Sequence, residues 1–197
     1  MPMTPFTYAR EFTQFDPQSG AFAGATVIER HLSDLQQLFV DQVAYEQTLA
    51  QADPLLYTVA AVQPDDRADA LFYAIGKIFP GQIGAEYYMT KGHYHALRTA
   101  PEVYIGLHGQ GMMLLQDEAS GSSRAHPLLP HSIVYVPGHT AHRTINTGTD
   151  ALVYLAVCPL AAGHDYESIV KNNFQQIVVA VNGEPTVLDR STFVTQA

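Results

Sequence analysis

The pattern of hydrophobic and polar positions changes near residue 54 of this 197-residue chain. Residues 1–30 mix aromatic and polar side chains without firm periodicity, which predicts an arm lying over a core. In the following stretch, apolar residues recur at positions 35, 38, 39 and 43, and Ser33 and Gln36 have the spacing of a capping box. We therefore predict one helix over 33–51. The Asp53-Pro54 pair ends it, because the residue before a proline disfavours helical torsions.

From Leu55 onward, short β-branched and aromatic runs alternate with Gly and Pro turns, which predicts an antiparallel barrel or sandwich rather than alternating βα units. A short helix over 164–173 is expected before a last hairpin. We divide the chain into an arm and helix packed on the core (1–54) and a β-barrel domain with a C-terminal hairpin (55–197). The predicted strands are LLYTVAAV from Leu55, LFYAIGKIF from Leu71, VYIGL from Val103, MMLLQ from Met112, SIVYV from Ser132, ALVYLAV from Ala151 and IVVAV from Ile177.

The charge composition limits the classes of binding partner to expect. Ten Lys and Arg stand against nineteen Asp and Glu, giving a formal charge of -9. That balance argues against nucleic-acid binding and against adhesion to anionic membranes, so a small molecule is the expected partner. An anionic substrate would need a local pocket of positive field. Cys158 is the one cysteine, which excludes an internal disulfide, and the first residues lack a secretory pattern; we expect a soluble, cytoplasmic protein.

The segment TKGHYHALRTAPEVY carries His93 and His95 at alternate positions and Glu102 seven residues later. Alternation along a strand sends the two histidines to one face. PGHTAH adds His139 and His142 after a Pro-Gly turn, and residue types alone leave open which of them joins the site. Three imidazoles and a carboxylate suit a divalent first-row metal ion, whereas a single histidine is more often structural. The remaining histidines are expected in solvated loops: His31, His108, His126 and His131.

The two histidine segments resemble the paired motifs of the cupin superfamily. The first runs His93, His95, six residues, Glu102, six residues, Gly109; the second runs from Pro137 to Asn146. Typical cupins have three or four residues before the glutamate, and a glycine where His131 stands. The six-residue spacing is similar to that of one branch, the cupin-type glucose-6-phosphate isomerases of archaea and some bacteria.

Further segments resemble that family in order and spacing, over about residues 52–183: YYMTKGHYH, EVY, GQGMMLLQ, VYVP, AHRTIN and AGHDY. The resemblance implies a mainly β fold, a cupin-type antiparallel β-barrel (jelly roll) with an N-terminal arm and one or two helices, and a homodimer. It implies one divalent metal ion held by His93, His95, Glu102 and His142. Ferrous iron is the first choice, with zinc, manganese, nickel and cobalt as alternatives.

The activity that the resemblance implies is interconversion of glucose 6-phosphate and fructose 6-phosphate, a step of glycolysis and gluconeogenesis. Glu102 is the candidate to shuttle a proton between C1 and C2 through a cis-enediol, while a metal-assisted hydride shift needs no base. Tyr104 lies two residues further along, on the same face of a strand, where it orients the carboxylate or a hydroxyl, or fills the core.

Further residues are candidates to contact the sugar phosphate. The Thr90 hydroxyl and the backbone at Gly92 suit a phosphate, and Lys91 either assists or points to solvent. His164 and Tyr166 would form an ordinary polar turn on residue types alone, but the resemblance implies that they, and Tyr57, contact the sugar or assist ring opening. Two departures from the family pattern leave the identity of the sugar phosphate open. Gly76 stands where some members have a phosphate-binding threonine, and Cys158 precedes Pro159 where a tyrosine is frequent. The alternatives are a cupin metal oxygenase and a non-catalytic sugar-binding cupin.

Overall fold

The protein is mainly β in the computed structural model, which describes residues 8–9, 12–63, 67 and 70–194; the other residues of the predicted arm, 1–7, 10 and 11, lie outside this range. The strands are β1 (Tyr8–Ala9), β2 (Phe12–Thr13), β3 (Thr26–His31), β4 (Leu55–Val62), β5 (Leu71–Ile78), β6 (Gln82–Ile83), β7 (Glu86–Tyr87), β8 (Glu102–His108), β9 (Gly111–Asp117), β10 (Ser123–Leu128), β11 (Ile133–Val136), β12 (Thr140–Asn146), β13 (Leu152–Pro159), β14 (Gln176–Val181) and β15 (Glu184–Asp189). The helices are α1 (Gln42–Gln51), α2 (Glu167–Asn172) and α3 (Arg190–Val194), with 3-10 turns at Leu32–Leu35 and Leu160–Ala162.

Every strand pair in the described residues is antiparallel, which confirms the predicted fold class. The largest sheet has the order β11-β8-β13-β5-β4-β3. A three-stranded sheet follows the order β10-β9-β12 and a four-stranded sheet the order β15-β14-β7-β6. All seven strands predicted from the sequence are present, and the last hairpin is β14 and β15.

The predicted arm is wrong for its last five residues, 26–30. Residues Thr26–His31 form β3, which pairs with β4 at the edge of the six-stranded sheet. Thr26, Val27 and Ile28 are β-branched, so this segment suits a pleated edge even though its burial shows no clean alternation. The consequence is that β3 contributes side chains to the inner face of this sheet.

The single helix predicted over 33–51 is also wrong. The chain makes a 3-10 turn at Leu32–Leu35, reaches a positive φ of 66° at Gln37, and then starts α1. Ser33 does not cap a helix, because its hydroxyl donates to Asp53 Oδ2 at 2.7 Å. The cap of α1 is Asp41, whose Oδ1 accepts from the Ala44 N–H at 2.9 Å. Helix α2 lies within the predicted 164–173, and α3 was not predicted.

The core lies between the sheets. Leu56 and Ile78 from the six-stranded sheet are fully buried, as are Leu114 of β9 and Leu152 of β13. Burying one such side chain stabilises the fold by about 1.5–3 kcal/mol. Among the described residues, no helix has both the length and the apolar character needed to cross a bilayer.

Candidate metal centre and cavity

Four side chains converge into one histidine–carboxylate cluster: His93, His95, Glu102 and His142. Each offers one ligand atom, and these atoms lie within 4.8 Å of one another. Glu102, His95 and His142 are buried. His139 lies outside the cluster, half exposed, with its Nδ1 3.3 Å from Glu118 Oε2. Of the two histidines left open by the sequence, the structure therefore places His142 in the cluster.

The backbone brings these residues together from separate segments. His93 and His142 face each other across an isolated antiparallel bridge, with N–H to carbonyl distances of 3.2 and 3.0 Å. The His93–His95 segment makes isolated bridges at His93 and Tyr94 and is not part of a regular strand, in contrast to the prediction. Glu102 is the first residue of β8, and His142 lies in β12, whose seven residues are all buried. The cluster thus joins a strand of each of two sheets to the loop between β7 and β8.

Two buried imidazole nitrogens of the cluster make no hydrogen bond. His95 Nδ1 lies 2.8 Å from the Ala100 carbonyl, to which it donates in the neutral tautomer, so that Nε2 carries the lone pair. Glu102 Oε2 lies 3.1 Å from His95 Nε2 and 2.9 Å from His142 Nε2. The buried Nε2 atoms of His93 and His142 make no hydrogen bond. Buried polar atoms without partners are costly, and a divalent cation fits this set of nitrogen and oxygen ligands.

The electrostatics also favour a cation. Burial by itself would raise the pKa of Glu102, but the contacts with His142 and His95 outweigh it and hold the carboxyl pKa below its usual value. Burial, followed by the neighbouring His142 and His164, lowers the pKa of His93 well below its ordinary value. Glu102 and His93 are therefore in the states that a metal ion requires of its ligands. Burial alone would lower the pKa of His95, but the contacts with Glu102 and the Ala100 carbonyl raise it, so a metal ion would have to displace a proton there.

The cluster opens into a cavity of about 420 Å³ on the inner face of the six-stranded sheet. Strands β3, β4, β5, β8 and β13 supply one wall through alternate residues, and β12 with the β7–β8 loop supplies the other. Of the residues predicted to bind or transform the substrate, Lys91 is not in the lining. The remaining ones line the cavity: Tyr57, Thr90, Gly92, Glu102, Tyr104, His164 and Tyr166.

The segment Thr90–Gly92 presents its backbone and one hydroxyl to this cavity. Thr90 Oγ1 accepts from the Thr144 N–H at 3.1 Å, which leaves its own hydroxyl hydrogen available to a ligand. Gly92 has a φ of 72°, and a Cβ there would lie 2.7 Å from the Phe174 ring, so no other residue fits without displacement. Tyr57 Oη accepts from the Lys91 N–H at 3.4 Å, and burial raises the pKa of this phenol to about 12.

Tyr104, His164 and Tyr166 surround the cluster. The Tyr104 ring lies 5.6 Å from that of His142, and burial together with the Glu102 carboxylate raises the pKa of its phenol well above the ordinary value. The His164 ring lies 4.4 Å from the His93 ring and stacks on Tyr166 at 5.6 Å with an interplanar angle of 5°. Burial lowers the pKa of His164, so its imidazole is neutral near pH 7.

Two buried or half-buried arginines fix these loops, and neither was predicted. Arg98 Nε donates to Glu118 Oε1 at 2.8 Å, and its two terminal nitrogens donate to the His95 carbonyl and to Asp165. It therefore ties the loop of His95 to the segment of His164 and Tyr166. Arg143 is fully buried and donates to the Lys91 carbonyl at 2.6 Å, behind the segment Thr90–Gly92. One feature of the sequence could have drawn attention to them, because each lies within three residues of a predicted metal ligand.

The two departures noted in the sequence have structural explanations. Gly76 lies opposite Tyr154 in the β5–β13 pair, and a Cβ at Gly76 would lie 2.1 Å from Tyr154 Cζ, so the glycine makes room for this ring. Cys158 is buried beside Ala100, Ala162 and Phe72. Burial raises the pKa of its thiol to about 12, which makes it a packing residue.

Three of the other histidines are not in loops as expected. His31 ends β3, His108 ends β8 and His126 lies within β10, whereas His131 is in the turn before β11. Within the described residues, none of the four belongs to the metal-type cluster.

Comparison with known proteins gives one consistent result. The family model described as glucose-6-phosphate isomerase matches residues 29–194. Proteins of that name are 42% identical over 174 residues in Pyrococcus horikoshii (88% of this chain and 92% of that protein) and 43% identical over 183 residues in Thermococcus gammatolerans (92% and 96%). A bacterial protein of the same name, from Sinorhizobium medicae, is 32% identical over 173 residues (87% and 80%).

Proposed function

The chain belongs to the cupin-type family of glucose-6-phosphate isomerases, and on that premise we propose that it interconverts glucose 6-phosphate and fructose 6-phosphate at the histidine–carboxylate cluster. The observation that supports this most is the convergence of three imidazoles and one carboxylate at the wall of a cavity large enough for a hexose phosphate. The reaction moves hydrogen between C1 and C2, so it needs a proton carrier and a means of stabilising negative charge on oxygen.

The four residues of the cluster are the proposed ligands of one divalent ion, with ferrous iron as the first choice. The buried Nε2 of His93, which makes no hydrogen bond, and that of His142, which lies 2.9 Å from Glu102 Oε2 without forming one, support this assignment. The chemistry supplied by such an ion, when bound, is Lewis-acid stabilisation of the oxygens of the open-chain sugar.

Glu102 is the proposed proton carrier. It stands at the start of β8, buried at the inner end of the cavity and held in the ionised form by its two imidazole contacts. It would take the proton from the carbon next to the carbonyl and return it to the former carbonyl carbon on the same face of the sugar, while the hydroxyl hydrogen passes from one oxygen to the other. Tyr104, whose phenol faces this carboxylate, would orient it and keep water from the reacting carbons.

Residues around the cluster would position the sugar. A neutral His164 is able to accept a hydroxyl proton during ring opening, and Tyr166 stacks against it at the cavity wall. Thr90, with its free hydroxyl hydrogen, and the backbone of Gly92 would donate to the phosphate. Lys91 would act from outside the cavity wall, through the field of its ammonium group.

The test is a coupled assay that detects glucose 6-phosphate formed from fructose 6-phosphate, before and after chelation and after metal is restored. We expect turnover to fall to background on chelation and to return with a divalent ion. Activity that persists with a chelator would remove the metal from the proposal, and oxygen uptake without isomerisation would indicate an oxygenase. Running the reaction in heavy water tests Glu102, because deuterium at C1 or C2 is expected when a carboxylate carries the proton.

A homodimer is part of the proposal. Apolar side chains are exposed on both edge strands of the six-stranded sheet, with Val27 and Ile28 on β3 and Ile133 and Tyr135 on β11. Light scattering in solution is expected to give twice the mass of the chain.

A further inference from the structure

Arg30 supplies the cavity with a permanent positive charge. It lies in β3 directly opposite Tyr57 of β4, and cross-strand partners project from the same face of a sheet. Ile28, two residues before it, also lines the cavity, as alternation along β3 requires. Among the described residues that line the cavity, Arg30 is the one lysine or arginine.

The guanidinium of Arg30 is not committed to another acid. Its Nη1 donates to the neighbouring Glu29 carbonyl at 3.0 Å, and within the described part of the chain no carboxylate pairs with it. Arg98 is different, because its Nε and both of its terminal nitrogens donate hydrogen bonds within the protein. The remaining donors of Arg30 are therefore free for a ligand.

The charge of Arg30 acts at the end of the cavity where the phosphate is expected. Burial dominates the pKa values of Tyr57, Tyr166 and Lys91, and the charge of Arg30 is a secondary influence on all three: it opposes the upward shift of the two phenols and adds to the lowering of the pKa of Lys91. Tyr57 in turn contacts the Lys91 N–H, next to Thr90 and Gly92. Arg30 and the Thr90–Gly92 segment thus border the same region.

The cavity needs such a charge. The chain has a net charge of -9, and the cavity itself contains the Glu102 carboxylate. Lys91, the cationic residue of the Thr90–Gly92 segment, lies outside the lining. A phosphate dianion entering this cavity would meet one fixed cationic side chain, at the rim.

We propose that Arg30 binds the phosphate group of the substrate and so selects phosphorylated over plain sugars. This inference rests on the proposed function and deepens it by assigning a specificity-determining residue on β3. A planar guanidinium matches phosphate through two parallel N–H donors, which a lysine ammonium does not reproduce.

The experiment compares binding of sorbitol 6-phosphate and of sorbitol to the full-length, metal-loaded protein, with calorimetry and competition against turnover as the two readouts. The variants are Arg30→Gln, Arg30→Lys and Arg124→Gln, the last as a matched control that removes one charge from an exposed position on β10. Thermal unfolding of each variant checks that the fold is retained.

Arg30→Gln is expected to weaken sorbitol 6-phosphate binding and raise KM about 10- to 100-fold, with kcat within about twofold of the unsubstituted protein. Sorbitol binding is expected to stay unchanged, Arg30→Lys to fall between, and Arg124→Gln to match the unsubstituted protein. Unchanged sorbitol 6-phosphate binding in Arg30→Gln would overturn the inference, and so would an equal loss for sorbitol.

The two proposals fail separately. A protein that binds sorbitol 6-phosphate through Arg30 but does not isomerise fructose 6-phosphate would overturn the proposed function and support the role of Arg30. An active isomerase whose KM is insensitive to Arg30→Gln would overturn the role of Arg30 alone.

Discussion

His139 and His142 lie three residues apart and occupy opposite environments. His142 points into the cluster with 2% of its surface exposed, whereas His139 has a positive φ and faces solvent beside Glu118. The difference arises because β12 starts between them, at Thr140, and turns its side chains into the protein. A substitution of His142 therefore tests the metal site, and the same substitution at His139 is its control.

His142→Ala is expected to lose bound metal and to lower turnover at least about 100-fold, the upper end of the losses seen when residues that only support metal ligands are changed. His139→Ala is expected to keep both. Metal content by elemental analysis, measured beside the coupled assay, checks the pair. Full metal loading in His142→Ala would show that this imidazole is not a ligand.

At the residue scale, the sequence predicted the side chains whose spacing is itself the chemical requirement. Two histidines at alternate positions and a glutamate beyond them have few other uses, so His93, His95 and Glu102 were identifiable. Arg98, Arg143 and Arg30 were not, because an arginine is by default a surface residue and its partners come from distant segments. Proximity to His142 marks Arg143 as a residue near the site, but it does not indicate that this side chain is buried against the Lys91 carbonyl.

At the element scale, the β5–β13 pair contains a steric dependence between Gly76 and Tyr154. We expect Gly76→Ala to destabilise the protein by about 1–3 kcal/mol, since its methyl group would overlap the Tyr154 ring. Urea unfolding measures the change. Gly148→Ala, where the nearest atoms lie 3.3 Å away, is the control and is expected to cost less.

Adding Tyr154→Leu tests the cause. The double variant is expected to be more stable than the sum of the two single changes predicts, by about 1 kcal/mol or more, because the shorter side chain removes the overlap. Additive effects would show that Gly76 is required for another reason.

The link between the β7–β8 loop and the segment before α2 runs through Arg98 and Asp165. Asp165→Asn is expected to lower kcat/KM about tenfold, because the segment that carries His164 and Tyr166 loses its ion pair with the loop of His95. Glu118→Gln removes the other, outer partner of Arg98 and is expected to have the smaller effect. Steady-state kinetics of both variants, at equal metal content, decide between them. Equal losses would argue that Arg98 acts through its charge and not through this link.

Elements were predictable where burial alternates or where apolar runs are bounded by turns. Strand β12 was missed because its sequence, TAHRTIN, is mostly polar, and its seven residues are nevertheless all buried. Polar side chains can be buried in this strand because hydrogen bonds satisfy them. Asn146, for example, donates to the Ile78 and Asp150 carbonyls at 2.9 Å. The break between the 3-10 turn and α1 was missed for a similar reason, since Asp53 binds Ser33 from twenty residues away.

At the scale of the whole molecule, acid stability depends on carboxylates that are ionised in the folded state. Hydrogen bonds from Arg98 and Ser168 lower the pKa of Asp165 to about 2, from an ordinary value of 3.8. Its contribution is therefore complete above about pH 4–5 and is lost as the pH falls through the folded pKa. The side chain is 24% exposed, so we expect about 1–2 kcal/mol from this group.

We predict that the free energy of unfolding falls between about pH 5 and pH 2, and that it falls less steeply in Asp165→Asn. Urea titrations at a series of pH values measure this, with Asp150→Asn on an exposed turn as the control. Parallel pH curves for Asp165→Asn and the unsubstituted protein would contradict the assignment.

Cys158 has a practical consequence. Its sulfhydryl is sealed beneath Phe72 and two alanines and stays protonated at neutral pH, so alkylating reagents have no native target in the folded chain. A new cysteine placed at an exposed position would accept a maleimide fluorophore or spin label selectively, with the native thiol left in place. Distance measurements between labelled copies would then report on assembly without any further engineering.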